Sequence, residues 1–122
     1  MREDAQPPIV LVVDDDASLR LLCRVNLELD GYRVLEAGTV AEAEQVLRGD
    51  AVDLVLLDVH VGPESGVELM RAVREQGGAP PVVLVTGSAR LDAETQAEAD
   101  GVVTKPFRLE ELLGVVRTLL GR

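Results

Sequence analysis

Tryptophan is absent from this chain, and tyrosine and phenylalanine occur once each. With aromatics at 2% of residues, a core has to be assembled from valine, leucine and alanine. The single cysteine, Cys23, excludes an internal disulfide, which fits a reducing compartment and an expected cytoplasmic location. Cys23 sits inside a helical pattern and reads as a small buried apolar side chain rather than a redox group. Basic residues are also scarce, 12 against 22 acidic ones, for a formal net charge of −10. Direct nucleic-acid binding calls for a basic face, and none is visible, so proteins or cations are the expected partners. No apolar run approaches the roughly 20 residues that a bilayer span requires, and no membrane association is expected. The opening MREDAQPP is charged and proline-containing, unlike a secretion signal. Residues 1–8 are expected to form a flexible tail ahead of a single domain at 9–122.

What the chain does have is alternation. Its 122 residues, 47% hydrophobic, suit one compact domain. Short apolar runs closed by turn residues predict buried strands at Ile9–Val13, Tyr32–Glu36, Leu54–Leu57, within PPVVLVTG (80–87) and at Gly101–Thr104. Helical patterns lie between them. One covers Ala17–Leu29, and a second runs from Thr39, a suitable cap, to Gly49, a suitable stop. The third, SGVELMRAVREQGG (65–78), has Val67, Met70, Ala72 and Val73 marking its apolar side. The fourth, Arg90–Ala99, is poor. In the fifth, RLEELLGVVRTLLG (108–121), Leu109, Leu112, Leu113, Val116, Leu119 and Leu120 share one face. Charges on the second and third helices read as solvated faces. With no repeat, low-complexity tract or linker, no second domain is expected within the chain.

Five strands alternating with five helices imply an α/β fold, a doubly wound five-stranded parallel sheet in a single three-layer domain. Right-handed crossovers then bring all strand C-termini to one edge, where the ligand crevice of such a sheet lies. Asp14, Asp15, Asp58, Thr86 and Lys105 all fall at strand ends, so they gather there. Two carboxylates about 4 Å apart repel by roughly 4 kcal/mol at an effective dielectric of about 20. Three of them need positive charge. Lys105 supplies one cation, and a hard divalent ion is the natural second, because every available ligand is an oxygen. The cluster looks like an incomplete Mg²⁺ site awaiting a phosphoryl group, with Thr86 and Lys105 as donors to its oxygens. With Asp14 and Asp15 needed on the metal, Asp58 is the carboxylate best placed as nucleophile.

At this point VVDDD (Val12–Asp16), LLDVHV (Leu56–Val61), VTGS (Val85–Ser88) and TKPF (Thr104–Phe107) carry a resemblance. Together, in this order and each closing its own strand, they resemble the receiver domain of two-component response regulators over essentially the whole chain. The resemblance implies the strand order 2-1-3-4-5 and a phosphoacceptor at Asp58. The phosphoryl group would come from the phosphohistidine of a sensor histidine kinase or histidine phosphotransfer protein. It further implies Mg²⁺ on Asp15, Asp58 and the main-chain carbonyl of His60, with Asp14 acting through water. Thr86 would swing toward the phosphoryl group, Lys105 would pair with one of its oxygens, and the Lys105–Pro106 peptide is a candidate for cis. Such a domain signals to a downstream protein or output domain. It is not an enzyme in the ordinary sense, since it catalyses only its own phosphorylation and dephosphorylation.

The chain departs from the family pattern in three places. Gly62-Pro63 reverses the usual proline–glycine order, so the loop is expected to keep its length and change its path. Val102 stands where a tyrosine or phenylalanine usually follows the threonine's movement, and a valine has no ring to swap and a stiff χ1. Only 19 positions separate Thr86 from Lys105, a shortfall that falls in the fourth helix. Leu91 is the only large apolar residue there, so that helix is expected to be the least ordered, and signal output is not expected to need a rigid face from it. The His60 side chain is either a solvated loop residue or, with Ser88, a gatekeeper of water's access to the phosphoryl group. Two alternatives stand beside the receiver: an unmodified pseudo-receiver interaction module, and a phosphatase using Asp14 as nucleophile in the Asp14-x-Asp16 pattern.

Overall fold

The computed structural model describes residues 6–87 and 91–121. Ser88, the expected helix start at Arg90 and the first five tail residues lie outside them. The described chain runs β1 (Ile9–Val13), α1 (Ala17–Leu29), β2 (Arg33–Ala37), α2 (Val40–Gly49), β3 (Leu54–Asp58), β4 (His60–Val61), β5 (Glu64–Ser65), α3 (Gly66–Glu75), β6 (Val82–Thr86), α4 (Ala93–Glu98), β7 (Gly101–Thr104) and α5 (Leu109–Leu120). Strands β2, β1, β3, β6 and β7 join in that order into one parallel sheet. Counting only these five, the order is 2-1-3-4-5, so the winding reverses between β1 and β3.

Pleating sorts the continuous apolar runs into two cores. Val10, Val12, Leu54, Leu56 and Val83 turn to the side covered by Cys23 and Leu27 of α1 and Leu112 and Val116 of α5. Leu11, Val13, Val55, Leu57 and Leu84 turn to the side covered by Ala43 of α2 and Leu69 and Met70 of α3. Each fully buried Val or Leu contributes roughly 1.5–3 kcal/mol, which is how a core without tryptophan holds together. Burial also pushes the Cys23 thiol up to about 11, so it remains a protonated apolar filler.

Helix starts follow the sequence closely. Asp16 accepts hydrogen bonds from the amides of Ser18 and Leu19, Thr39 from Glu42, and Ser65 from Glu68. Because Asp16 caps α1, Asp14 and Asp15 are not used as its cap. Other boundaries move for physical reasons. The Tyr32 amide donates to the Leu27 carbonyl at 3.1 Å and closes α1, so β2 begins at Arg33 and extends to Ala37, opposite Val13. In α3, Gly66, Leu69 and Met70 face inward while Ala72 is exposed. That rotation is set by Gly66, which lies against the sheet, and the helix stops at Glu75, short of Gly78.

The Gly62-Pro63 loop is a two-stranded antiparallel ribbon, β4 with β5, turned at Gly62 with φ of 61°. Helix α4 has six residues, against the ten expected. Only Thr95 is buried in it, with Leu91 and Ala99 resting on the α2/α3 core. The charges of α3 are not simply solvated. The Arg71 guanidinium donates to both Glu98 carboxylate oxygens, the shortest contact at 2.7 Å, and Arg74 donates to the Glu98 carbonyl and to Asp100. Two arginines thus grip α4 where apolar packing is thin. Among the described residues no helix is long and apolar enough to cross a membrane.

Elements with little buried surface open first. Amide hydrogens of α4 should therefore exchange faster than those of α5, and Glu98→Gln should accelerate α4 further while leaving α5 unchanged. Equal protection of the two helices would count against this account.

Candidate functional site

The sheet's C-terminal edge brings the predicted residues together. Asp14 follows β1, with its amide donating to the Ala37 carbonyl of β2 at 3.0 Å. Asp58 closes β3, and its Oδ1 accepts from the His60 amide at 3.1 Å. Thr86 closes β6, and its carbonyl accepts from the Lys105 amide, just past β7, at 2.7 Å. The Lys105–Pro106 peptide is cis. Asp14 is 3%, Thr86 2% and Asp58 8% exposed, whereas Asp15 and His60 are exposed at the rim.

Lys105 is the hub. Its Nζ lies 3.0 Å from Asp14 Oδ2 and 3.1 Å from Asp58 Oδ2. Asp14, Asp15 and Asp58 each bring a carboxylate oxygen into a group lying within 4.8 Å of one another. Apolar side chains, Leu19, Cys23, Leu56, Phe107 and Leu112 among them, lie beneath the two buried carboxylates. Burial accordingly pushes the Asp14 carboxyl above its ordinary range, and the Asp58 charge adds to that, against the pull of the Asp16 amide and Lys105. Burial opposes the Lys105 charge too, but its hydrogen bonds to Asp14 and Asp58 outweigh that and raise its pKa. Three carboxylates face one ammonium, so negative charge is in surplus. The donor set is all oxygen, which suits a hard divalent cation.

Two contributors were not apparent from sequence. A Cβ on Gly66 would stand 1.9 Å from the Asp58 carbonyl oxygen, so the start of α3 rests backbone against backbone on the Asp58 residue. The Gly66 amide also donates to the Val59 carbonyl at 2.8 Å. The glycine was visible in the sequence, but the contact that requires it spans an unforeseen ribbon. The other is Arg20, whose Nη1 donates to the Asp14 carbonyl at 2.6 Å. No short-range pattern marks it.

The surplus charge has a measurable consequence. Asp58→Asn removes two carboxylate repulsions and one ammonium attraction, so the metal-free variant should be more stable than the wild type by about 1 kcal/mol or more in urea unfolding at pH 7. Added Mg²⁺ should narrow that gap by stabilising only the wild type. A less stable metal-free variant would contradict the assigned charge balance.

Comparison with known proteins agrees with this geometry. A family model described as the response regulator receiver domain matches residues 10–117. The response regulator MprA of Mycolicibacterium vanbaalenii is 38% identical over 119 residues, 95% of this chain and 52% of that protein. The crystal structure of the response regulator TrrA from Thermotoga maritima, in complex with Mg²⁺-BeF, is 31% identical with a TM-score of 0.83, covering 92% of this chain and 98% of that one. The receiver domain of the TMAO respiratory response regulator TorR is 34% identical with a TM-score of 0.85, covering 95% and 98%. The chain spans about half the length of the curated relatives it matches.

Proposed function

The chain belongs to the response regulator receiver domain family of two-component systems, and we propose that it accepts a phosphoryl group on Asp58 from the phosphohistidine of a sensor kinase or phosphotransfer protein. The observation that supports this most is the Lys105 ammonium shared between Asp14 and Asp58, with Asp15 alongside. Residues 9–122 would constitute the receiver and 1–8 its tail.

An Asp58 carboxylate oxygen bonds to phosphorus while the bond from phosphorus to the donor's imidazole nitrogen breaks, its electron pair returning to the ring. Asp15, Asp58 and the His60 carbonyl would hold Mg²⁺ directly and Asp14 through water, supplying positive charge against the phosphoryl oxygens. Lys105 exchanges its contact with Asp58 Oδ2 for one with a phosphoryl oxygen. The Thr86 hydroxyl turns toward the phosphoryl group. Water later hydrolyses the aspartyl phosphate within the same domain, so no external substrate is turned over.

Val102 is 37% exposed and offers no ring to follow Thr86, so the outward change would proceed without an aromatic relay. Because the matched relatives are about twice as long, the output would lie in a further protein segment or a separate protein partner, in the cytoplasm and without direct nucleic-acid contact by this domain.

Treatment with acetyl phosphate and Mg²⁺, followed by peptide mapping, should locate the modification at Asp58. Modification at Asp14 would instead indicate the phosphatase chemistry, and no response to millimolar Mg²⁺ would indicate an unmodified interaction module. His60, beside Asp58 and exposed, is proposed to gate water's access to the phosphoryl group. Its replacement by alanine should change the self-dephosphorylation rate severalfold, and an unchanged rate removes the role.

A further inference from the structure

We propose that Arg20 is a positioning residue for the metal site, holding the peptide between Asp14 and Asp15 so that the Asp15 carboxylate faces the cluster. This rests on the reading that the cluster binds Mg²⁺. Arg20 lies in the first turn of α1, and its planar guanidinium is committed in two directions. Nη1 donates to the Asp14 carbonyl at 2.6 Å. Nε donates to Glu36 Oε1, near the end of β2, at 3.1 Å. Glu36 is itself fixed by Arg24 Nη1 on its other oxygen at 3.0 Å. The space around the guanidinium is tight, since a Cβ on Gly38 would stand 3.0 Å from Nη1.

The Asp14 carbonyl belongs to the same rigid peptide plane as the Asp15 amide, so fixing one fixes the origin of the Asp15 side chain. That matters because the three aspartates are not held alike. The Asp14 carboxylate is tied by the Asp16 amide and Lys105. That of Asp58 is tied by the His60 amide and Lys105. Among the described residues none donates to the Asp15 carboxylate, so its direction comes from the backbone that Arg20 anchors. Groups that orient metal ligands without touching the metal typically affect affinity by roughly 10–100-fold.

Charge and position predict opposite signs, which makes the inference decidable. As a cation beside an acidic site, Arg20 competes with Mg²⁺, so its removal by charge alone would tighten binding. As the anchor of the Asp14–Asp15 peptide, its removal weakens binding. Calorimetric titration with MgCl₂ should show Arg20→Met weakened by roughly 10-fold. Arg20→Lys, which keeps the charge but cannot span both acceptors, should fall between Met and wild type. The Asp15 amide resonance should shift or broaden in the metal-free variants. Urea unfolding establishes that each variant is folded. If Arg20→Met does not fold, Arg20→Lys decides, since charge alone predicts wild-type affinity there. Tighter or unchanged Mg²⁺ binding in a folded variant overturns the inference, including the case where only stability drops. Absence of Mg²⁺ binding by the wild type overturns the proposed function itself, a result distinct from a variant-specific change.

Discussion

The contact of the Lys105 ammonium with two buried carboxylates is the constraint around which the rest of this molecule is arranged. Asp14 and Asp58 sit over an apolar floor, where isolated negative charges are costly. They remain because the cation arrives from a third chain segment, just beyond β7, and because each carboxylate also accepts a backbone amide. One ammonium does not balance three carboxylates. The surplus leaves an all-oxygen donor set at the edge whose charge suits a further cation.

The walls of the site differ in stiffness. On the α3 side, Gly66 brings helix backbone against the Asp58 carbonyl, and the β4–β5 ribbon braces the loop between them. On the α1 side, Arg20 stitches the acidic loop to β2 through Glu36. On the α4 side, a six-residue helix buries only Thr95 and is tied to α3 by part-buried Arg71–Glu98 contacts, with Arg74 reaching Asp100 just beyond it. Such contacts are individually weak and screened by salt. Of the three helices flanking the site, α4 therefore has the thinnest packing. A valine at position 102 removes the aromatic route for carrying a change outward from Thr86.

Much of this was present in the linear order of residues. Apolar runs closed by Asp14, Asp58, Thr86 and Lys105 mark strands ending at one edge, because parallel strands joined by helices must all point the same way. Caps at Asp16 and Thr39 could be read because a side chain reaching an amide two or three residues on is a local event. The same locality explains why the span of α1 could be read to both ends and why the shortening of α4 was foreseen in direction.

The sequence by itself determined the alternation, the doubly wound sheet and the set of charged residues at its rim, since each depends on periodicity or on near neighbours. Only the tertiary structure decided which apolar residues face α1 and α5 and which face α2 and α3, because strands buried on both sides are apolar at every position. It alone decided that Arg20 grips the Asp14 carbonyl, that Arg71 and Arg74 hold α4, and that position 66 has no room for a side chain. Those contacts join residues distant in the chain, or turn on a helix's rotation, so no spacing rule encodes them.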